Sequence, residues 1–120
     1  MGYILVATTV IFTVYGQLVI KWKLGSQVMP EGLAQKILFL FNQLLDPWVF
    51  SGFAAAFIAA LAWMAAMTKL PLNKAYPFTS LAIVLVLVGS SIALGERISR
   101  SVVVGAVLIV LGLITICQDL

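Results

Sequence analysis

The sequence contains no histidine and only one cysteine, Cys117. The missing histidine excludes a Ser-His-Asp triad, and the shortage of thiols and imidazoles excludes the usual zinc ligand sets. A single cysteine also excludes a disulfide within the chain. No nucleophile and base can be paired from what remains, so we expect neither an enzyme nor a metal or cofactor site.

Charge is scarce as well. Charged residues make up 9% of the chain and hydrophobic residues 63%, whereas soluble domains carry about a quarter charged residues. Too few polar residues are present to cover a water-exposed surface, which indicates lipid as the surrounding solvent. The net charge is +3, but the basic residues stand at the ends of hydrophobic runs. That arrangement favours a membrane surface, with membrane lipids as partners and no nucleic acid.

Four apolar segments account for most of the chain. They predict transmembrane helices over residues 3–23, 48–68, 77–95 and 101–118 of a single domain, residues 1–120. A spanning helix needs about 20 residues, with about 17 at the lower limit. Asp46-Pro47 and Pro77 supply helix starts, because Asp caps free N–H groups and Pro fits the first turn. The predicted fold is all-α, an integral membrane bundle of four transmembrane helices.

The first connection is the longest. Its first part is rich in helix-breaking residues, and its second part is apolar at helical spacing, with Leu33, Ile37, Leu40, Phe41, Leu44 and Leu45. This pattern predicts a short interfacial helix over residues 32–45. The alternative is an N-terminal extension of the second transmembrane helix.

Basic residues indicate the orientation. Short connections make neighbouring helices antiparallel, so the first and third connections share one side of the membrane. They carry Lys21, Lys23, Lys36, Arg97 and Arg100, against Lys69 and Lys74 in the second connection. The positive-inside rule then predicts that the first side is cytoplasmic and that both termini lie outside.

The first apolar segment carries a polar stripe. Thr9, Thr13, Gln17 and Lys21 follow one another at intervals of four residues, and each step turns the helix by only about 40° beyond a full turn. In one interpretation the threonine hydroxyls donate hydrogen bonds to carbonyls of their own helix, and the Lys21 side chain extends to the membrane–water interface. An amide deep in lipid needs partners, however, so Gln17 either joins helices or lines a polar cavity.

The third apolar segment carries further candidates, so we expect the first and third helices to form the site. Tyr76 and Ser80 are four residues apart and face the same way, and Glu96 closes the segment. Because the first and third helices run parallel, Lys21 and Glu96 fall at the same membrane side. They either form an ion pair there, or Lys21 meets an anionic group of a substrate.

The second and fourth segments have the composition of packing helices. Gly52, Ala56 and Ala60 recur every four residues on one, and Ser101, Gly105 and Gly112 form a small-residue seam on the other. Small residues let helix backbones approach closely in lipid, within a chain or between chains. Three aromatic residues are candidate interface anchors, and the deepest of them is also a candidate ligand contact: Trp48, Tyr76 and Trp63.

The four acidic residues avoid the apolar segments. Glu31, Asp46, Glu96 and Asp119 all lie in connections or at segment ends. A proton-coupled exporter of cations needs a carboxylate within the membrane to exchange proton for substrate. This pattern therefore argues against such an exporter.

Three stretches, in this order, resemble a known group of proteins. They are Gly16-Gln17-Leu18 followed by Lys21, then Ala75-Tyr76-Pro77 with Ser80-Leu81, then Gly95-Glu96 followed by Gly105 and Gly112. The chain resembles the small four-helix branch of the drug/metabolite transporter superfamily (EamA-like). Within it, the chain is most similar to the flippase subunits for undecaprenyl-phosphate aminoarabinose used in lipid A modification, and more distantly to the small multidrug resistance family. It departs from those subunits at Arg97, where a proline often follows the glutamate, and in its longer first connection.

The resemblance implies a function, and the residue patterns described above supply the candidate site residues. It implies movement of a polyprenyl-phosphate-linked sugar between leaflets of the bacterial inner membrane by a homo- or heterodimer. The substrate-binding candidates are Thr13, Gln17, Lys21, Tyr76, Ser80 and Glu96. Two alternatives stay open: a small multidrug exporter of amphipathic molecules, and a non-transporting membrane subunit of a glycosyltransferase complex.

Overall fold

A computed structural model describes residues 1–118 of the chain; Asp119 lies outside the described residues. The described part contains six α-helices and one 3₁₀ turn, and no strand. In chain order the helices are α1 (Gly2–Leu24), α2 (Leu33–Leu44), α3 (Pro47–Met67), α4 (Leu72–Ala75), α5 (Ser80–Leu94) and α6 (Arg100–Cys117), with the 3₁₀ turn Tyr76–Thr79 between α4 and α5. Four segments are long and apolar enough to cross a membrane: Gly2–Leu24, Pro47–Met67, Leu72–Leu94 and Arg100–Cys117. The prediction of an all-α, multi-pass membrane fold is confirmed.

Local capping chemistry sets several helix ends. The Trp48 N–H donates to Asp46 Oδ1 at 2.8 Å, and Pro47 occupies the first turn of α3. At the end of α5, Gly95 adopts a left-handed conformation with φ 69°, and the Glu96 N–H donates to the Ser90 carbonyl at 3.3 Å. A residue with a side chain would be strained at Gly95.

The third transmembrane segment begins before Pro77. Helix α4 starts at Leu72, and the chain then tightens into the 3₁₀ turn before α5 begins at Ser80. Proline lacks an N–H and its ring clashes with the preceding turn, so an unbroken α-helix cannot pass through it. The tighter turn lets the segment continue along one axis despite the proline.

Helix α1 is the centre of the bundle and packs most closely against α3. A Cβ atom added at Gly16 would lie 2.9 Å from the Gly52 carbonyl oxygen, so the two backbones are in direct contact. Beside this contact the Tyr15 and Ser51 hydroxyls lie 2.9 Å apart. Ser51 donates its own proton to the Trp48 carbonyl at 2.6 Å, so Tyr15 is the donor between the helices. Small residues thus bring α1 and α3 together, as expected for association in lipid.

Helix α5 packs on another side of α1. A Cβ atom at Gly89 would lie 2.8 Å from Leu18 Cδ1, and the rings of Tyr3 and Phe78 meet edge to face at 5.5 Å. Below the Tyr3–Phe78 pair, a small buried cluster joins α1, α3 and α4 through Val6, Ala66 and Ala75.

Helix α6 is peripheral. It packs against α5 and the 3₁₀ turn, and Leu113 is its one buried residue within residues 100–117. A Cβ atom at Gly105 or Gly112 would meet nothing within 4 Å. The predicted small-residue seam of α6 is therefore open and takes no part in packing within the described chain.

Helix α2 is separate from α3. Leu45 and Asp46 stand between them, so α2 is not a continuous extension of the second transmembrane helix. Its large apolar side chains are exposed: Leu33, Ile37, Leu38, Leu40 and Phe41. The location of this helix at the membrane surface stays a prediction.

Candidate functional site

An open groove of about 310 Å³ lies between α1 and α3. One wall carries Thr9, Thr13 and Gln17 from α1, and the other carries Ala56 and Ala60 from α3. Since the α3 residues have almost no side chain, space remains beside the polar face of α1. The predicted stripe thus lines a cavity, but its partner is α3, whereas the sequence suggested that α1 and α5 form the site.

The polar side chains of this groove differ in whether they have hydrogen-bond partners. Thr9 Oγ1 lies 3.0 Å from the Leu5 carbonyl of its own helix and 3.3 Å from the Ala59 carbonyl of α3. Within residues 1–118, the side chains of Thr13 and Gln17 make no hydrogen bond, and Gln17 is exposed. An amide or hydroxyl without a partner is costly in an apolar medium, by several kcal/mol on hydrocarbon scales. This part of the groove therefore favours a polar occupant.

Two aromatic residues close one end of the groove. Trp63 lines it directly, and the ring of Tyr76 meets Trp63 edge to face at 6.1 Å. Ser80 lies near Tyr76 in sequence, but its hydroxyl donates to the Pro77 carbonyl at 2.7 Å and it does not line the groove. The structure therefore brings Tyr76 to the end of the groove and leaves Ser80 as a support of the 3₁₀ turn.

Lys21 lies apart from the rest of the stripe. The drift of about 40° per step accumulates to about 120° between Thr9 and Lys21, which turns the lysine away from α3. It lines a second cavity of about 370 Å³ with Glu96, between the C-terminal ends of α1 and α5. Lys21 and Glu96 form no ion pair within the described residues, where the pair present is Lys23 with Asp46 at 3.6 Å.

An aromatic cluster marks the depth of this second cavity. Trp22 and Trp48 meet edge to face at 5.6 Å, and Lys23 Nζ lies 4.9 Å from the Trp22 ring centre. Tryptophan and lysine concentrate where the hydrocarbon meets the headgroups. This composition favours a position at headgroup depth for the Lys21–Glu96 cavity, which Trp22 also lines.

A third recess is almost entirely apolar. It lies between the N-terminal half of α1 and the start of α5, with a volume of about 340 Å³. Val10, Ile11, Leu81 and Leu85 are among its walls. A hydrocarbon chain is the occupant that such walls favour in a bilayer.

Sequence comparison places these features in a family. A model described as the EamA-like transporter family matches residues 1–118. The chain is similar to a protein of Erwinia tasmaniensis named "probable 4-amino-4-deoxy-L-arabinose-phosphoundecaprenol flippase subunit ArnF". The two are 31% identical over 123 residues, covering 98% of this chain and 94% of the relative.

Two further relatives carry names of the same type. An ArnF protein of Shewanella sediminis is 35% identical over 124 residues, covering 94% of this chain and 85% of the relative. An ArnE protein of Aeromonas hydrophila is 37% identical over 76 residues, covering 58% of this chain and 67% of the relative. No solved structure matches the chain.

Proposed function

The chain belongs to the EamA-like transporter family, and from that premise we propose that it is a subunit of a flippase. Its substrate is a polyprenyl-phosphate-linked sugar of the aminoarabinose class, moved between the leaflets of a bacterial inner membrane. The names of relatives that match along nearly their whole length support this proposal. In this proposal the protein is a transporter and not an enzyme.

The observation that carries the proposal is the unsatisfied polar face of α1. Thr13 and Gln17 point into a groove that is open to the membrane and make no hydrogen bond within residues 1–118. Sugar hydroxyls supply both donors and acceptors, which the amide of Gln17 and the hydroxyl of Thr13 can pair with. Trp63 and Tyr76 at the end of the groove offer aromatic faces to the sugar ring.

The remaining candidates belong to the two ends of the path. Lys21, at headgroup depth, supplies a positive charge for the phosphate. Glu96 shares its cavity, and Ser80 holds the turn that carries Tyr76. The apolar recess between α1 and α5 gives the prenyl chain a surface without polar groups.

Assembly is part of the proposal. The relatives are named as subunits, and we propose that this chain also acts with a second one, either identical or related. Gly105 and Gly112 on α6 leave room for the close approach of another helix.

The positions of the acids argue against the alternative exporter of cations. Helices α1, α3, α5 and α6 contain no aspartate or glutamate. A proton-coupled exporter of cations needs such a carboxylate within the membrane. An anionic lipid headgroup beside Lys21 agrees better with this charge distribution.

The test is translocation in proteoliposomes, with the protein alone and together with a co-expressed related subunit. A labelled polyprenyl-phosphate sugar is placed in one leaflet, and its appearance in the other is measured over time. Gln17→Ala and Lys21→Ala should slow translocation, and Lys69→Ala, which removes a lysine at the opposite end of the bundle, should not. Equal rates in all variants would refute the site assignment, and no translocation by either preparation would refute the function.

A further inference from the structure

The cavity between the ends of α1 and α5 holds two opposite charges. Lys21 comes from α1 and Glu96 from the residue after the α5 cap, with Ser26 adding a hydroxyl to a lining that is mainly polar. The volume is about 370 Å³. It is therefore large enough to hold a headgroup between the two charged side chains.

The structure keeps these two charges apart. Within residues 1–118 neither Lys21 nor Glu96 takes part in an ion pair. The nearby Lys23 forms an ion pair with Asp46, the residue that caps α3. Arg97, which follows Glu96, is also without an ion pair in this part of the chain. Opposite charges that share a cavity without neutralising each other are available to a ligand that carries both signs.

Two glycines shape the cavity. The left-handed Gly95 ends α5 and turns Glu96 back, so that its N–H reaches the Ser90 carbonyl. At the end of α1, the Gly25 N–H donates to the Lys21 carbonyl at 2.8 Å, and a Cβ at Gly25 would lie 2.7 Å from that oxygen and 3.7 Å from Lys21 Cε. The close contact would be with the Lys21 carbonyl, so glycine at position 25 lets the chain end α1 tightly beside the cavity.

We infer that this cavity is the entry position of the path, where it selects a zwitterionic headgroup before the sugar moves to the groove between α1 and α3. Lys21 binds the phosphate there, and Glu96 binds a primary ammonium group of the sugar. This inference rests on the proposed function and deepens it, because that function includes an amino sugar but assigns no residue to the recognition of its amine. The printed names of the relatives contain both groups, an amino sugar and a phosphate. A ligand with a neutral sugar would leave the Glu96 carboxylate without its ionic partner. The site would therefore bind a lipid with an amino sugar more tightly than one with a neutral sugar.

The experiment compares two lipids that differ only at the amine, which is charged in one and blocked by an acetyl group in the other. One is a polyprenyl-phosphate amino sugar, and the other is the same lipid with the amine acetylated. Binding to the full chain in nanodiscs, with its co-expressed subunit where one is needed, is measured by native mass spectrometry. Glu96 is exposed, and an exposed ion pair contributes up to about 1 kcal/mol, so the amine form should bind up to about fivefold more tightly.

Three variants separate the role of Glu96 from a general effect. Glu96→Gln should reduce the ratio of the two affinities from up to about fivefold to about one. Glu96→Lys should invert the preference, because it places a like charge beside the ammonium group. Glu31→Gln, which removes an exposed acid from the first connection, should leave the ratio as in the wild type.

The outcomes are distinct. Equal binding of the two lipids by the wild type would overturn the inference and leave the proposed function standing. An equal loss for both lipids in Glu96→Gln would also overturn it, since Glu96 would then act on the cavity and not on the amine. If the wild type binds neither lipid, the proposed function fails together with the inference.

Discussion

Replacing Gly16 by alanine should push apart α1 and α3, the two most closely packed helices. The new Cβ would lie 2.9 Å from the Gly52 carbonyl oxygen, at least about 0.5 Å short of an optimal separation of heavy atoms. A backbone carbonyl cannot rotate away as a flexible side chain can, so α1 and α3 must shift. Overpacking of this kind costs about 1–3 kcal/mol.

Gly105→Ala is the matched control. Both glycines lie inside helices, and both gain the same helix propensity from alanine, about 1 kcal/mol. At Gly105 a Cβ meets nothing within 4 Å. When both variants are measured as the isolated monomer, where the proposed contact of α6 with a second chain is absent, the difference between them isolates the contact between α1 and α3. Gly16→Ala should then be less stable than Gly105→Ala by about 1–3 kcal/mol.

The assay is unfolding in mixed micelles of mild detergent and sodium dodecyl sulfate. Tryptophan fluorescence suits it, because the Trp22–Trp48 pair joins α1 to α3 with ring centres 5.6 Å apart. The unfolding free energy of each variant is obtained from the midpoint and slope. Equal stability of Gly16→Ala and Gly105→Ala would refute the direct backbone contact.

Three further predictions use the same chain. Asp46→Ala should lower the unfolding free energy by about 1 kcal/mol, because α3 loses its cap. Asp46→Asn keeps the cap and removes only a partly exposed ion pair, so it should change the unfolding free energy little. The same micelle assay measures both variants. Thr9→Val should be less stable than Thr8→Val by about 0.6 kcal/mol, because Thr9 reaches α3 and Thr8 bonds only to its own helix; equal stabilities would exclude the contact between helices. If α2 lies at the membrane surface, a spin label at Ile37 on its apolar face should be accessible to oxygen dissolved in the lipid, and one at Asn42 on its polar face should be accessible to water. Equal water access at both sites would show that α2 does not lie at the membrane surface.

The transmembrane architecture follows from local features of the sequence. Long apolar runs separated by charged connections leave few alternatives to spanning helices. The start of α3 was predictable because Asp46-Pro47 specifies a cap by its own chemistry. The start of the third transmembrane segment was less predictable. Pro77 marks a helix start in most contexts, but here the helical segment begins at Leu72 and passes through Pro77 as a 3₁₀ turn.

The partners of each helix face were not predictable. Helix α3 carries alanine on two faces: Ala55 and Ala62 are buried against the bundle, whereas Ala56 and Ala60 line the groove. A repeat of small residues does not distinguish these faces, since the choice depends on where the backbone of Gly16 meets that of Gly52. The role of Trp63 as a wall of the groove depends on the same contact, although its depth in the second segment made it a candidate.

The contact between Gly16 and Gly52 also bears on the order in which the helices assemble during synthesis. Tyr15 and Ser51, the bonded pair beside it, are 36 residues apart, which corresponds to about 2–7 s of synthesis at about 5–20 residues per second. During that interval α1 resides in the bilayer without its principal neighbour, and its polar face has only water, lipid headgroups or the insertion machinery to contact. The first hairpin to close is then α1 with α3, and α5 docks on it through Gly89 and Leu18. Helix α6 arrives last and is the most loosely held, so truncation after α5 should leave the groove between α1 and α3 assembled.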